Sequence, residues 1–164
     1  MNLLFRMMYM WMRQSYPTGE QLANAISLIG SSIENEKSDA MFYEWLINNV
    51  PNNIGEKARQ DIIKTITGIK EDEQMHNKIF KSMYKQLTGN EAPMPMEEEF
   101  VPPANFTEGI IKALKGETEA VRRYRTIMSG LPDNSYRDAV FNILTDEIRH
   151  GILYNYVYTT TIMS

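Results

Sequence analysis

Four stretches of this chain repeat apolar residues at alternating spacings of four and three, the signature of a helix that buries one narrow stripe. The first stripe reads Leu22, Ile26, Ile29, Ile33, Glu36, Ala40, Tyr43, Ile47 and Val50, and the second Ile62, Ile66, Ile69, Glu73, His76, Phe80, Met83 and Leu87. The third reads Ile110, Leu114, Glu117, Val121, Tyr124, Met128 and Leu131, and the fourth Tyr136, Val140, Ile143, Glu147, His150, Tyr154 and Val157. Stripes this narrow are seams along which helices pack at a shallow angle, knobs into holes. No strand-like alternation competes, so the expected class is all-α, a four-helix bundle. Every seam is apolar except near its middle, where it turns acidic.

Breakers set the boundaries. Pro51, Gly89, Pro102, Pro103, Gly130 and Pro132 cut the chain into helices over residues 18–50, 55–88, 107–129 and 135–160. Short turns at 51–54 and 131–134 make the first and second helices antiparallel neighbours, and the third and fourth likewise. The middle link, residues 89–106, reaches at most ~60 Å when extended, and the second helix is ~50 Å long, so a full-length crossover is expected. Its acidic run at 97–99 reads as a solvated face. The halves also repeat: Glu36, Tyr43 and Pro51 align with Glu117, Tyr124 and Pro132, and Asp72, Glu73 and His76 with Asp146, Glu147 and His150. The acids lie 37 residues apart in the first half and 30 in the second, so the second helix should overhang its turn.

The chain has 164 residues, enough for one domain with its own core. It has no cysteine, which excludes thiolate metal sites, thiol nucleophiles and disulfide scaffolds. A net charge of -4 argues against nucleic acid, whose phosphates are held by clustered Lys and Arg. No run approaches the ~20 apolar residues of a membrane span. Residues 1–16 are rich in Met and aromatics but lack a basic leader and a small-residue cleavage site, so they are expected to be an arm or extra helix and not a signal peptide. That arm packs either on a partner subunit or on its own domain, the bundle of residues 17–164. A cytoplasmic protein is expected.

The chemistry lies where the stripes turn polar, at Glu36, Glu73, His76, Glu117, Glu147 and His150. Several carboxylates facing one another in a dry core must take up protons or find cations, because a lone buried ion costs many kcal/mol. Two divalent ions bring four positive charges to four carboxylates and two neutral imidazoles. The i, i+3 spacing of Glu73 with His76, and of Glu147 with His150, sets an oxygen and a nitrogen donor on one helix face. Mixed carboxylate and imidazole donors suit iron, with manganese possible, better than a closed structural zinc site. The competing reading, solvent-facing acids and two ordinary core histidines, needs all four helices to be misphased.

The pairs Asp72-Glu73-x-x-His76 and Asp146-Glu147-x-x-His150, with Glu36 and Glu117 each seven residues before a Tyr, resemble the di-iron carboxylate site of the ferritin-like superfamily, especially rubrerythrin and bacterioferritin. The likeness covers roughly residues 20–160. It implies a ferritin-like antiparallel bundle holding two Fe ions per chain. In it Glu73 and Glu147 bridge, Glu36 and Glu117 are terminal ligands, and His76 and His150 give one nitrogen to each metal. Asp72 and Asp146 would fix the imidazoles, or else be plain surface acids. Tyr43 and Tyr124 would hydrogen-bond a ligand carboxylate or supply an electron, or else simply pack; Tyr154 is taken as filler. Gln74 stands where bacterioferritin places a haem-binding Met, so no haem is expected. Ala120 stands where rubrerythrin has a further Glu, although Glu119 is adjacent. No rubredoxin-like Cys pairs occur, so electrons should come from an external donor, and no room is left for the fifth helix of ferritin cages, which favours a homodimer or small homo-oligomer. The implied activity is oxidation of Fe(II) by O2 or H2O2, as a peroxidase or ferroxidase in oxidative stress or iron handling. The alternatives are a non-catalytic iron-storage or metal-stabilised adaptor protein, and a dimanganese catalase-like site.

Overall fold

Small polar residues start three of the helices through side-chain caps. Thr18 caps α1 (Gly19–Ser32) by accepting the Gln21 amide at 3.2 Å, while the Gln21 side chain accepts the Thr18 amide at 2.8 Å. After α2 (Glu36–Asn48) and a 3-10 turn (Asn52–Ile54) comes α3 (Glu56–Thr88), closed by Gly89 in the left-handed conformation at φ 73°. Asn105 caps α4 (Phe106–Gly130) through the Glu108 amide, and Asp133 caps α5 (Asn134–Ile162) through the Ser135 amide. The structure is a computed structural model that describes residues 17–33, 36–94 and 99–163, with the side chains of 36–38 excepted. The arm expected at residues 1–16 and most of the acidic run at 97–99 lie outside the described residues; Glu99 itself is exposed.

The expected unbroken first helix is corrected to two. Ile33 ends α1 with extended backbone, φ -76° and ψ 102°, and α2 begins at Glu36. Before the break the hydroxyls of Ser31 and Ser32 both donate to the Leu28 carbonyl, at 3.0 and 2.8 Å. Side chains that offer the backbone local alternatives in this way weaken a helix end. The other three helices agree with their expected limits to within about two residues.

Inter-helix contacts fix the topology. Gly130 at the end of α4 meets Gln21 at the start of α1, and Gly109 at the start of α4 meets Leu46 near the end of α2, so the first rod runs antiparallel to α4. The Tyr136 hydroxyl at the start of α5 bonds Gln86 near the end of α3, and the Tyr156 hydroxyl bonds Asp61 near its start, so α3 and α5 are antiparallel too. Because α4 and α5 join through a short turn, α3 and α4 run the same way. The link between them is therefore a full-length crossover, which packs Pro93 over Gly30 and Pro103 over Gly109. Among the described residues all elements are helical, a ferritin-like bundle, and no helix is long and apolar enough to cross a membrane.

Two apolar clusters fill the interior. One gathers Leu46, Ile62, Ile66, Ile69, Ile110, Tyr154 and Val157, and the other Ile29, Phe80, Tyr124, Ile127, Val140 and Ile143. Between them lies a polar layer, with Glu117 and Glu147 buried and His76 and His150 beside them. The unequal spacing of the acids is taken up before this layer. Seventeen residues separate Glu56 from Glu73 in α3 and thirteen separate Asn134 from Glu147 in α5, so α3 overhangs by about one turn, and the longer connection before it takes the remainder.

Candidate metal centre

Glu73 and His76 lie one turn apart on α3, Glu147 and His150 one turn apart on α5, and Glu117 enters from α4. The side chains of His150 and Glu147 are 0% and 1% exposed, those of His76, Glu117 and Glu73 5%, 9% and 14%. A ligand atom from each of Glu73, Glu117, Glu147 and His150 falls within 4.8 Å of the others. Each α3 and α5 carboxylate reaches both imidazoles. Glu73 sets Oε1 3.0 Å from His150 Nδ1 and Oε2 3.5 Å from His76 Nδ1; Glu147 sets Oε1 3.1 Å from His76 Nδ1 and Oε2 3.7 Å from His150 Nδ1. Glu117 Oε1 lies 3.9 Å from His150 Nδ1. The Glu36 side chain lies outside the described residues, although its backbone opens α2.

These short separations do not have hydrogen-bond geometry. Glu73 Oε1, His76 Nδ1, Glu147 Oε1 and His150 Nδ1 are all buried without a well-formed hydrogen bond, so four ligand atoms converge on the layer at ion-pair separations only. Buried polar groups are almost always satisfied, and a set of oxygens and nitrogens left in this way fits a cation or cation pair. The chemistry of the residues therefore fits the group that the sequence motif implies.

The outer imidazole nitrogens are held crosswise. His76 Nε2 lies 3.3 Å from Asp146 Oδ2 and His150 Nε2 lies 3.2 Å from Asp72 Oδ2, so each Asp serves the histidine of the other motif. Once the inward proton is lost, a proton on Nε2 bonded to carboxylate leaves Nδ1 with its lone pair aimed inward, the usual way a ligating histidine is oriented. One residue that the sequence reading missed joins the two pairs: Arg149 Nη2 donates to Asp72 at 2.7 Å and to Asp146 at 3.0 Å. It sits one position before an inward histidine and reads as a solvent-facing cation.

The electrostatics follow the geometry. Burial pulls the His76 imidazole down, but Glu147 and Glu73 outweigh it and raise its pKa to about 10. For His150 burial is again opposed, by Glu147, Glu73 and Asp72, which raise it to about 9. Burial pushes Glu147 up, yet His150 and His76 hold it well below the carboxylate range. Asp72 is lowered as well, because Arg149 and His150 overcome its desolvation.

The candidate tyrosines fall in different clusters. Tyr43 belongs to the one with Ile66 and Ile110, and lines a cavity of about 150 Å³ together with Glu73, Gln74, Asn77, Lys70 and Lys78. Tyr124 lies in the other, its ring 5.0 Å from Phe80. Tyr154, read as filler, is fully buried in contact with the field of the acids. Burial raises its phenol well above the usual value and Glu117 adds to that, while the Tyr43 hydroxyl works the other way.

A family model described as Rubrerythrin matches residues 27–158. No curated protein and no solved structure matches the chain.

Proposed function

Because the chain belongs to the rubrerythrin family, within the ferritin-like di-iron carboxylate superfamily, we propose that it is a di-iron oxidoreductase that oxidises Fe(II) with hydrogen peroxide or dioxygen. The observation that carries the reading is the pair of carboxylates, Glu73 and Glu147, each spanning two inward imidazole nitrogens that make no well-formed hydrogen bond. Glu73 and Glu147 would bridge two ions. Glu117 and His150 would complete one side, and His76 with Glu36 the other. When bound, a ferrous pair supplies two electrons, enough to take hydrogen peroxide and two protons to two waters, or dioxygen to peroxide.

The chain's own residues supply the rest. Asp72 and Asp146 hold the imidazoles so that Nδ1 faces the layer. The flanking apolar clusters keep bulk water from the centre, and the cavity beside Glu73 and Tyr43 is large enough for a small oxidant. Tyr43, on that cavity, and Tyr124 serve to bond a ligand carboxylate or to pass an electron. In the same proposal the donor that re-reduces iron lies outside these 164 residues, and the chain works in the cytoplasm as a homodimer or small homo-oligomer.

Anaerobic Fe(II) titration followed by mixing with H2O2 or O2 tests the reading. Saturation near two irons per chain, a ferric absorption band on mixing and loss of both in Glu73→Ala are expected. Retention of two irons by Glu73→Ala refutes the centre. Iron uptake without peroxide consumption or catalytic Fe(II) oxidation would instead indicate storage.

A further inference from the structure

The two Asp–His pairs are related by an approximate two-fold rotation between the antiparallel α3 and α5, but the arginine that joins them is not duplicated. Arg149 precedes His150 in one motif; the matching position before His76 in the other is Met75, which is exposed. One nitrogen, Arg149 Nη2, donates to both carboxylates, and each carboxylate then bears on a different histidine, Asp72 on His150 at 3.2 Å and Asp146 on His76 at 3.3 Å. We propose that Arg149 is a positioning residue common to both halves of the centre, setting the orientation of two imidazoles that belong to different helices although it touches neither inward-facing nitrogen.

The inference rests on the dimetal reading above and adds a pattern that reading does not contain. A carboxylate that holds an imidazole is itself free to rotate unless something holds it, and a charge-assisted bond from a guanidinium is among the stronger ways to do so. Two such bonds from a single nitrogen make the two carboxylates one unit. Removing Arg149 should therefore loosen both histidines together, whereas removing either Asp should loosen one. An ordinary surface ion pair would do neither. Such pairs contribute little, and the Arg149 side chain is 51% exposed, so removing it is expected to cost the fold little.

The test is a Co(II) titration of the metal-free full-length protein, read from the visible bands of the bound ion, with thermal melting of each metal-free variant alongside. Arg149→Met is expected to weaken both binding steps by a similar factor, about 10- to 100-fold. Asp72→Asn should weaken one step and Asp146→Asn the other. Moving the arginine to the matching position, Met75→Arg in the Arg149→Met background, should restore both steps, because the guanidinium again stands one turn from one Asp and across from the other. An Arg149→Met protein that titrates like the wild type, one in which a single step moves, or a swapped protein no tighter than Arg149→Met would overturn the proposal. If Arg149→Met does not fold, the swapped protein is compared with the wild type directly, and a weakened step in it counts against the role. Wild-type protein that binds fewer than two Co(II) overturns the dimetal reading itself, a separate failure.

Discussion

Gly130→Ala sets two well-known effects against each other, and the structure decides between them. Alanine favours an α-helix over glycine by about 1 kcal/mol, so propensity alone predicts a more stable protein. But Gly130 closes α4 against the first turns of α1. A Cβ there would stand 2.3 Å from the Gln21 carbonyl oxygen and 2.8 Å from the Ala25 Cβ. Neither obstacle can turn away, one being backbone and the other a side chain without rotamers, so α1 and α4 must separate. Overpacking that shifts backbone costs ~3 kcal/mol, the upper end of its usual range. Net destabilisation of about 2 kcal/mol follows, roughly 30-fold in the unfolding constant, or a fall of ~4–8 °C in Tm for a chain of this size. Gly116 provides the control, since it lies in the same helix with nothing within 4 Å of its Cβ position and no positive φ; Gly116→Ala should gain ~0.5–1 kcal/mol. Urea denaturation of the metal-free protein, followed by far-UV circular dichroism, measures both. A Gly130→Ala midpoint at or above the wild type, with Gly116→Ala behaving as expected, would refute the close approach of the two helices.

Metal uptake should release protons: with His76 raised to about 10 and His150 to about 9, both imidazoles are charged at pH 7.5, and ligation through Nδ1 displaces about two protons per chain, read with a pH indicator in weak buffer. Release of none would contradict charged histidines in the metal-free state. The same groups set a pH dependence of metal-free stability. Their pKa values are raised on folding, so their contribution is complete below the unfolded value of 6.5 and is lost as pH rises through about 9 and about 10. The urea midpoint should fall from pH 7 to pH 10, and a flat profile in that window would count against the histidine–carboxylate contacts. Ile110→Ala, at a fully buried position, should cost ~2–5 kcal/mol by leaving a cavity, and a loss under 1 kcal/mol would mean that α4 packs less closely than described.

Much of this architecture is legible in the residues because α3 and α5 keep a strict seven-residue rhythm. Ile62, Ile66, Ile69, His76, Phe80 and Met83 are all buried on one, and Val140, Ile143, Glu147, His150, Tyr154 and Val157 on the other. The first rod was less so. Ala25, Ser32 and Leu46 are buried where Leu22, Ile26 and Ile47 were expected to be, since a real helix drifts from a 3.5-residue repeat and this one breaks after Ser32. The Gly30-Ser31-Ser32 run stands just before that break, but hydroxyl bonds of the same kind at Thr67 and Thr118 leave α3 and α4 unbroken, so composition alone does not single the position out. At the site, the acids and histidines stood out as polar residues on apolar seams. Arg149 did not, because a cation on the face next to a seam looks like any solvated residue until the neighbouring helix brings Asp72 to it. The crosswise pairing of Asp72 with His150 escaped for the same reason, being a property of how α3 meets α5.

The polar layer between two apolar clusters makes the molecule a pair of greasy lobes with a charged waist. Each lobe borrows segments from both hairpins, and without a cation the waist holds them together only through its histidine–carboxylate and arginine–carboxylate pairs. A bound cation would then act as a rivet, and stripping it should let the lobes breathe out of step. Amide exchange along α3, which runs through both, would show the seam as faster exchange around Glu73 and His76 than at Ile66 or Phe80.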